Sequence, residues 1–119
     1  MQLLHISLIV SDLQQAKAFY SDILGLKPDD RPDLGFPGLF YKLGQSQQLH
    51  LLLIHDPYRH AIRPQHGGRD RHVALACKDL PSICERLEQA NIAFTRSKSG
   101  RAAIFCRDAD ENVIELIAV

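Results

Sequence analysis

"HISLIVSDL" occupies residues 5–13, and "HVALACKDL" occupies residues 72–80. The two stretches lie 67 residues apart and agree at four of nine positions: the opening His, a Leu, and the closing Asp-Leu. Internal similarity at a fixed period is the first thing to look for, because a missed repeat miscalls the fold. The similarity continues at the ends of the halves. "LFYKLGQSQQLHLLL" (39–53) lies over "IFCRDADENVIELIA" (104–118) at an offset of 65, so Phe40 meets Phe105 and His50 meets Glu115. The small drift in offset marks a length change between the copies.

Each half has the same grammar. Residues 3–10 and 72–78 read as strands, each followed by a helix. Ser11-Asp12 opens the first helix, with Gln14 three residues after Ser11 in the manner of a capping box. Leu13, Ala16, Phe19, Tyr20, Ile23 and Leu24 recur at helical spacing, and Gly25 is the natural stop. In the second half Asp79 is the cap and Pro81 suits the first turn. Ile83, Cys84, Leu87 and Ala90 form the buried stripe, and Asn91 ends the helix. Shorter strands follow at about 27–31, 37–43 and 47–54, and again at about 92–96, 101–107 and 112–118. "DADEN" (108–112) reads as a turn. The fold class is therefore α+β: two tandem βαβββ modules, about 1–55 and 71–119, in a single domain spanning 1–119 and joined by a basic loop. A module of this size is marginal alone. The two curved sheets are expected to form a cup, completed in a homodimer.

Composition excludes several classes. Fourteen basic and fourteen acidic side chains give zero formal charge, so nothing directs the chain to nucleic acid or a membrane surface. No apolar run approaches the ~18 residues of a membrane helix, and the first residues lack the pattern of a signal peptide. Cys77, Cys84 and Cys106 form no CxxC pair; they read as small buried hydrophobes in a reducing, cytoplasmic protein.

Side chains alternate along strands, which leaves the smaller set of each central strand facing the cup. His5 and His72 begin the first strands, and His50 and Glu115 lie in the last ones. Three imidazoles and one carboxylate at repeat-related places make a first-row metal site. In the loop "HDPYRHAIRPQHGGRDRH" (55–72), Gly67-Gly68 reads as a flexible point. Arg63, Arg69 and Arg71 there are candidates for binding an anionic substrate, because guanidinium groups grip carboxylates and phosphates in a fork. His55, His60 and His66 are weaker alternatives as ligands.

On these residues the chain resembles the vicinal oxygen chelate superfamily of glyoxalases, bleomycin resistance proteins and extradiol dioxygenases. "LLHISLIVSDLQQAKAFYSDILGLK", "QLHLLL", "RHVALACKDL" and "RDADENVIELIAV" carry the resemblance across nearly the whole chain. It implies that His5, His50, His72 and Glu115 are the metal ligands. One divalent ion (Ni, Co, Zn, Mn or Fe) would then sit in each site, with Glu115 as the catalytic base. The expected activity is glyoxalase-like chemistry (lyase, isomerase or addition) on a small oxygenated anion. Two alternatives are an Fe(II) extradiol-type dioxygenase and a non-catalytic drug-binding protein. Similarity to glyoxalase I implies metal sites shared across a homodimer. The chain departs from the family in its closing turn, usually Asp-Pro-Asp-Gly and here Asp108-Ala109-Asp110-Glu111. It also has His50 where bacterial glyoxalase I usually has glutamate.

Overall fold

The computed structural model describes residues 1–119. The chain divides into two compact units, Met1–Arg59 and His60–Val119. Residues 60–71, expected in a linker, thus belong to the second unit.

The first unit contains β1 (His5–Val10), helix α1 (Leu13–Lys17), a π-helical turn (Ala18–Ile23), β2 (Lys27–Asp29), β3 (Gly38–Leu43) and β4 (Gln47–Leu53). The second contains a short 3₁₀ turn (Gly67–Arg69), β5 (His72–Cys77), α2 (Leu80–Gln89), β6 (Phe94–Arg96), β7 (Ala103–Arg107) and β8 (Val113–Ala118). The sheets have identical topology, β1-β4-β3-β2 and β5-β8-β7-β6. In each, the first strand lies at the sheet edge and runs parallel to the last strand, which is interior, and the other pairings are antiparallel. Register repeats as well. His5 pairs with Gln48 and Ser7 with His50, while His72 pairs with Val113 and Ala74 with Glu115. These pairs reproduce both offsets, 67 for the first strands and 65 for the last.

One face of each sheet packs on its helix. Phe19, Tyr20, Ile23 and Leu24 are buried with Tyr41, Leu49 and Leu51 in the first unit. Ile83, Cys84 and Leu87 are buried with Ile104, Ile114 and Leu116 in the second. Full burial of one such side chain is worth about 1.5–3 kcal/mol. No helix is long and apolar enough to cross a membrane.

Several local expectations change. The first helix is capped by Asp12, whose Oδ1 accepts from the Gln15 amide at 2.9 Å, and not by a Ser11–Gln14 box. A carboxylate at that position also complements the positive end of the helix. The helix then widens: the Leu24 amide donates to the Phe19 carbonyl at 2.9 Å, one residue beyond the α-helical partner. Gly25, at φ 75°, does end it. Ala90 is exposed at the C-cap of α2 and lies outside the buried stripe. In the closing turn, Asp108 Oδ1 accepts from the Asp110 and Asn112 amides at 2.9 and 2.8 Å. Glu111 stands there at φ 66°, in the left-handed region that glycine occupies more easily.

Gly67 is not a flexible point. It is buried, and a β-carbon there would lie 2.7 Å from Val113 Cγ1 and 2.9 Å from Phe105 Cβ. The glycine lets the loop press directly onto β7 and β8. Gly67→Ala must push the loop off the sheet, at about 1–3 kcal/mol. Urea denaturation of the variant should show that loss; an unchanged midpoint would mean that the loop yields freely.

Candidate metal centre

In the second unit, the β5–β8 register sets His72 and Glu115 on the same face. The imidazole is oriented from behind. Its Nδ1 lies 2.8 Å from the Asp70 carbonyl oxygen, which can only accept, so Nδ1 donates there and Nε2 is the nitrogen that faces Glu115. Nε2 lies 3.4 Å from Glu115 Oε2. The Phe105 ring meets the imidazole edge-on at 5.4 Å and 87°. Glu115 is only 4% exposed, and its Oε1 is buried without a hydrogen-bond partner. The nearest cation, Arg101 Nη2, is 3.7 Å from that oxygen. A carboxylate oxygen and an imidazole nitrogen at this distance can share a proton or a metal ion. A buried carboxylate oxygen without a donor is costly unless something fills that role. This pair therefore fits a divalent cation.

Asp70 anchors the segment leading into His72. Its Oδ2 takes Arg63 Nε at 2.8 Å and Arg107 Nη1 at 2.9 Å, and its Oδ1 takes the Arg71 amide at 2.7 Å. Burial alone would raise the Asp70 pKa, but the Arg63 and Arg107 hydrogen bonds outweigh it and bring it down to about 2. Arg63 is therefore held in an ion-pair network. Arg69 lines a cavity of about 1040 Å³ together with His72, Glu115, Arg96, Lys98 and Arg101. Arg71 is exposed and does not line it. The charge-based reading of the loop missed Arg96, at the end of β6, and Lys98 and Arg101 in the β6–β7 connection. His66 also lines this cavity, but its Nδ1 accepts from the Gly68 amide at 3.0 Å. His55 and His60 are exposed.

In the first unit, β1 and β4 bring His5 and His50 together in the matching positions, but differently. The rings are stacked, with centroids 4.2 Å apart and planes at 12°. On its other face His50 stacks on Phe40 at 3.5 Å and 5°. His50 Nε2 lies 2.9 Å from Gln48 Oε1, and the Gln48 amide nitrogen donates to Asp29 Oδ2 at 2.8 Å. Burial, then the neighbouring His5 and Arg31 charges, push the His50 pKa down. Arg31 is a second residue that sequence pattern did not reveal. Its guanidinium lies over Phe36 and Phe40 at 5.1 and 5.7 Å, and its Nη2 donates to the Phe36 carbonyl at 2.8 Å.

No group of three or more His, Cys, Asp or Glu side chains able to hold a metal ion is gathered in the structure. Each unit supplies two of the four expected residues. The cysteines are free, and burial raises all three thiols, Cys106 to about 12, so none is a ready nucleophile.

Known proteins share this arrangement of modules. The chain is 32% identical over 126 residues to a lactoylglutathione lyase of Salmonella typhimurium, covering 98% of this chain and 92% of that protein. It is 30% identical over 114 residues to the glutathione transferase FosA of Serratia marcescens, covering 94% and 77%. A variant of the fosfomycin resistance protein FosX from Listeria monocytogenes, solved with Mn(II) and a dihydroxypropylphosphonic acid, superimposes with a TM-score of 0.72 at 22% identity, over 98% of this chain and 89% of that one. Residues 2–116 match the model of one family throughout, and the chain belongs to it: the Glyoxalase/Bleomycin resistance protein/Dioxygenase superfamily.

Proposed function

We propose that this protein is a divalent-metal-dependent enzyme of the glyoxalase type, acting in the cytoplasm on a small oxygenated anion. Its centre would be built from His5 and His50 of the first unit and His72 and Glu115 of the second. The observation that carries the reading is the 3.4 Å approach of His72 Nε2 to Glu115 Oε2, beside a buried Oε1 that has no hydrogen-bond donor and faces only Arg101 Nη2 at 3.7 Å. A divalent ion bound there would act as a Lewis acid on two neighbouring substrate oxygens. The chain's own residues supply the rest. Asp70 orients the His72 ring through its carbonyl. Arg69, Arg96, Lys98 and Arg101 give the cavity a positive lining suited to a carboxylate, phosphonate or glutathione-bearing substrate. Glu115 Oε1 is the acceptor available to take a substrate proton, a contribution typically worth ~10²–10⁴ in rate. The names of two relatives at or above 30% identity, a lactoylglutathione lyase and the glutathione transferase FosA, support a lyase, isomerase or addition reaction over oxygenation.

The test is metal analysis of protein purified without chelator, followed by turnover of glutathione-dependent substrates. About one divalent ion per pair of units is expected, with activity lost on chelation and restored by Ni(II), Co(II), Mn(II) or Zn(II). Metal-free protein that turns over such a substrate at full rate would end the proposal. The expected homodimer belongs to the same reading. If one chain supplies His5 and another supplies Glu115, mixing inactive His5→Ala and Glu115→Ala chains restores activity. No recovery at any ratio would assign each site to one chain.

A further inference from the structure

The second unit holds a buried donor that the candidate centre does not use. His66 caps the 3₁₀ turn Gly67–Arg69, and its Nδ1 accepts from the Gly68 amide at 3.0 Å. A ring nitrogen that accepts carries no proton, so the proton of this imidazole is on Nε2. That Nε2 is buried and has no hydrogen-bond partner. The Phe105 ring, 5.2 Å away and tilted at 57°, offers at most a weak N–H···π contact. A donor withheld from water and given no acceptor is costly, and such groups are rare in native proteins unless a ligand or a reaction uses them.

The fold holds the ring in this pose. A β-carbon on Gly68 would lie 3.1 Å from His66 Nδ1 and Cε1 and from Phe105 Cζ, so the glycine lets the turn close around the imidazole without crowding it. The location is as specific as the pose. His66 lines the cavity of about 1040 Å³ that His72 and Glu115 also line. Phe105 pairs in register with Glu115 and touches both imidazoles, His72 at 5.4 Å and His66 at 5.2 Å. One phenyl ring therefore separates His66 from the His72–Glu115 pair. Arg69, Arg96, Lys98 and Arg101 draw anions into the same cavity, so the acceptor that arrives there is an anionic oxygen.

We infer that His66 is a substrate-binding residue whose Nε2–H donates to a carboxylate or phosphonate oxygen of the substrate. The inference rests on the proposed function only in taking this cavity as the substrate site. To reach Nε2 the substrate must push a neighbouring side chain aside. Gln65 and Arg69 line the cavity and are exposed, long side chains that can yield.

Two substitutions separate this role from capping. His66→Asn keeps the cap, because an Asn oxygen can accept from the Gly68 amide, but it removes the donor. His66→Gln places an N–H donor at about the reach of Nε2. The urea midpoint of His66→Asn should match that of wild type. Its dissociation constant for methylphosphonate or for lactate, measured by calorimetry with and without Zn(II), should rise about tenfold, the loss expected for one hydrogen bond to a charged acceptor. His66→Gln should recover most of that loss. The tighter-binding anion identifies the group that His66 meets. In ¹⁵N-labelled wild type, the His66 Nε2–H resonance should move on addition of that anion. A folded His66→Asn that binds both anions as wild type does, or a resonance that stays in place at saturation, would overturn the inference. So would wild-type protein that binds neither anion. None of these outcomes touches the metal centre, which Zn(II) uptake by wild type and its loss in His72→Ala test separately.

Discussion

If the proposed metal centre is right, His72→Ala should lose roughly 10³-fold in divalent-metal affinity, well beyond the ~10–100-fold typical of losing an outer-shell partner. The substitution takes away the imidazole that the backbone orients and whose Nε2 faces Glu115. It leaves Glu115 Oε2 without its neighbour in a buried setting, so the remaining ligands cannot recover the site by shifting. Binding and stability move together, because an ion that binds only the folded state stabilises it in proportion to RT ln(1 + [metal]/Kd), about 4 kcal/mol at a thousandfold excess over Kd. Wild-type protein should therefore gain about 10 °C or more in Tm on metal addition, and His72→Ala should gain almost nothing. Thermal melts with and without chelator read the difference. An equal metal-dependent gain in the variant would place the ion elsewhere.

Asp70→Ala destabilises the second unit by about 3 kcal/mol, the low end for breaking a buried ion pair, since both arginines keep some exposure. The carboxylate is 6% exposed at its side chain and bridges Arg63 from the loop to Arg107 at the end of β7. Removing it leaves two guanidinium groups facing each other without their shared anion. The same pair of contacts makes stability pH-dependent. The folded pKa of about 2 lies below the ordinary 3.8, so the contribution is complete above about pH 4. It is lost as pH falls through about 2, where the folded-state carboxylate takes up its proton. Wild type and Asp70→Ala should differ in urea midpoint at pH 6 and converge towards pH 2. A gap that persisted at the lowest pH would mean that packing rather than charge holds the network.

The repeat, the βαβββ succession and the shared faces of His5 with His50 and of His72 with Glu115 were legible in the sequence for one reason. Strand alternation and a duplicated register both leave a period in the residue pattern. What was hidden has no such period. The widened turn at Ala18–Ile23 depends on which carbonyl each amide selects, and apolar spacing does not record that. Gly67 looks like a hinge from composition, yet it is a close approach set by Val113 and Phe105. The loop arginines are alike as letters; only Asp70 distinguishes the engaged Arg63 from Arg69. Alternation predicted that His5 and His50 share a face. It carries no information about ring orientation, which Phe40, Gln48 and Asp29 set through contacts distant in sequence.

The parallel pairing at one edge of each sheet also bears on the order in which the molecule assembles. His5 meets Gln48 across 43 residues of chain, and His72 meets Val113 across 41. The antiparallel β3–β4 and β7–β8 pairings close much shorter loops. Local hairpins form on a microsecond scale, whereas distant pairing waits for the entropy of a long loop to be overcome. His50 and Glu115 therefore sit on early-forming hairpins, and His5 and His72 arrive last with the strands that complete each sheet. A chain in which β1 or β5 has not yet docked therefore lacks His5 beside His50, or His72 beside Glu115.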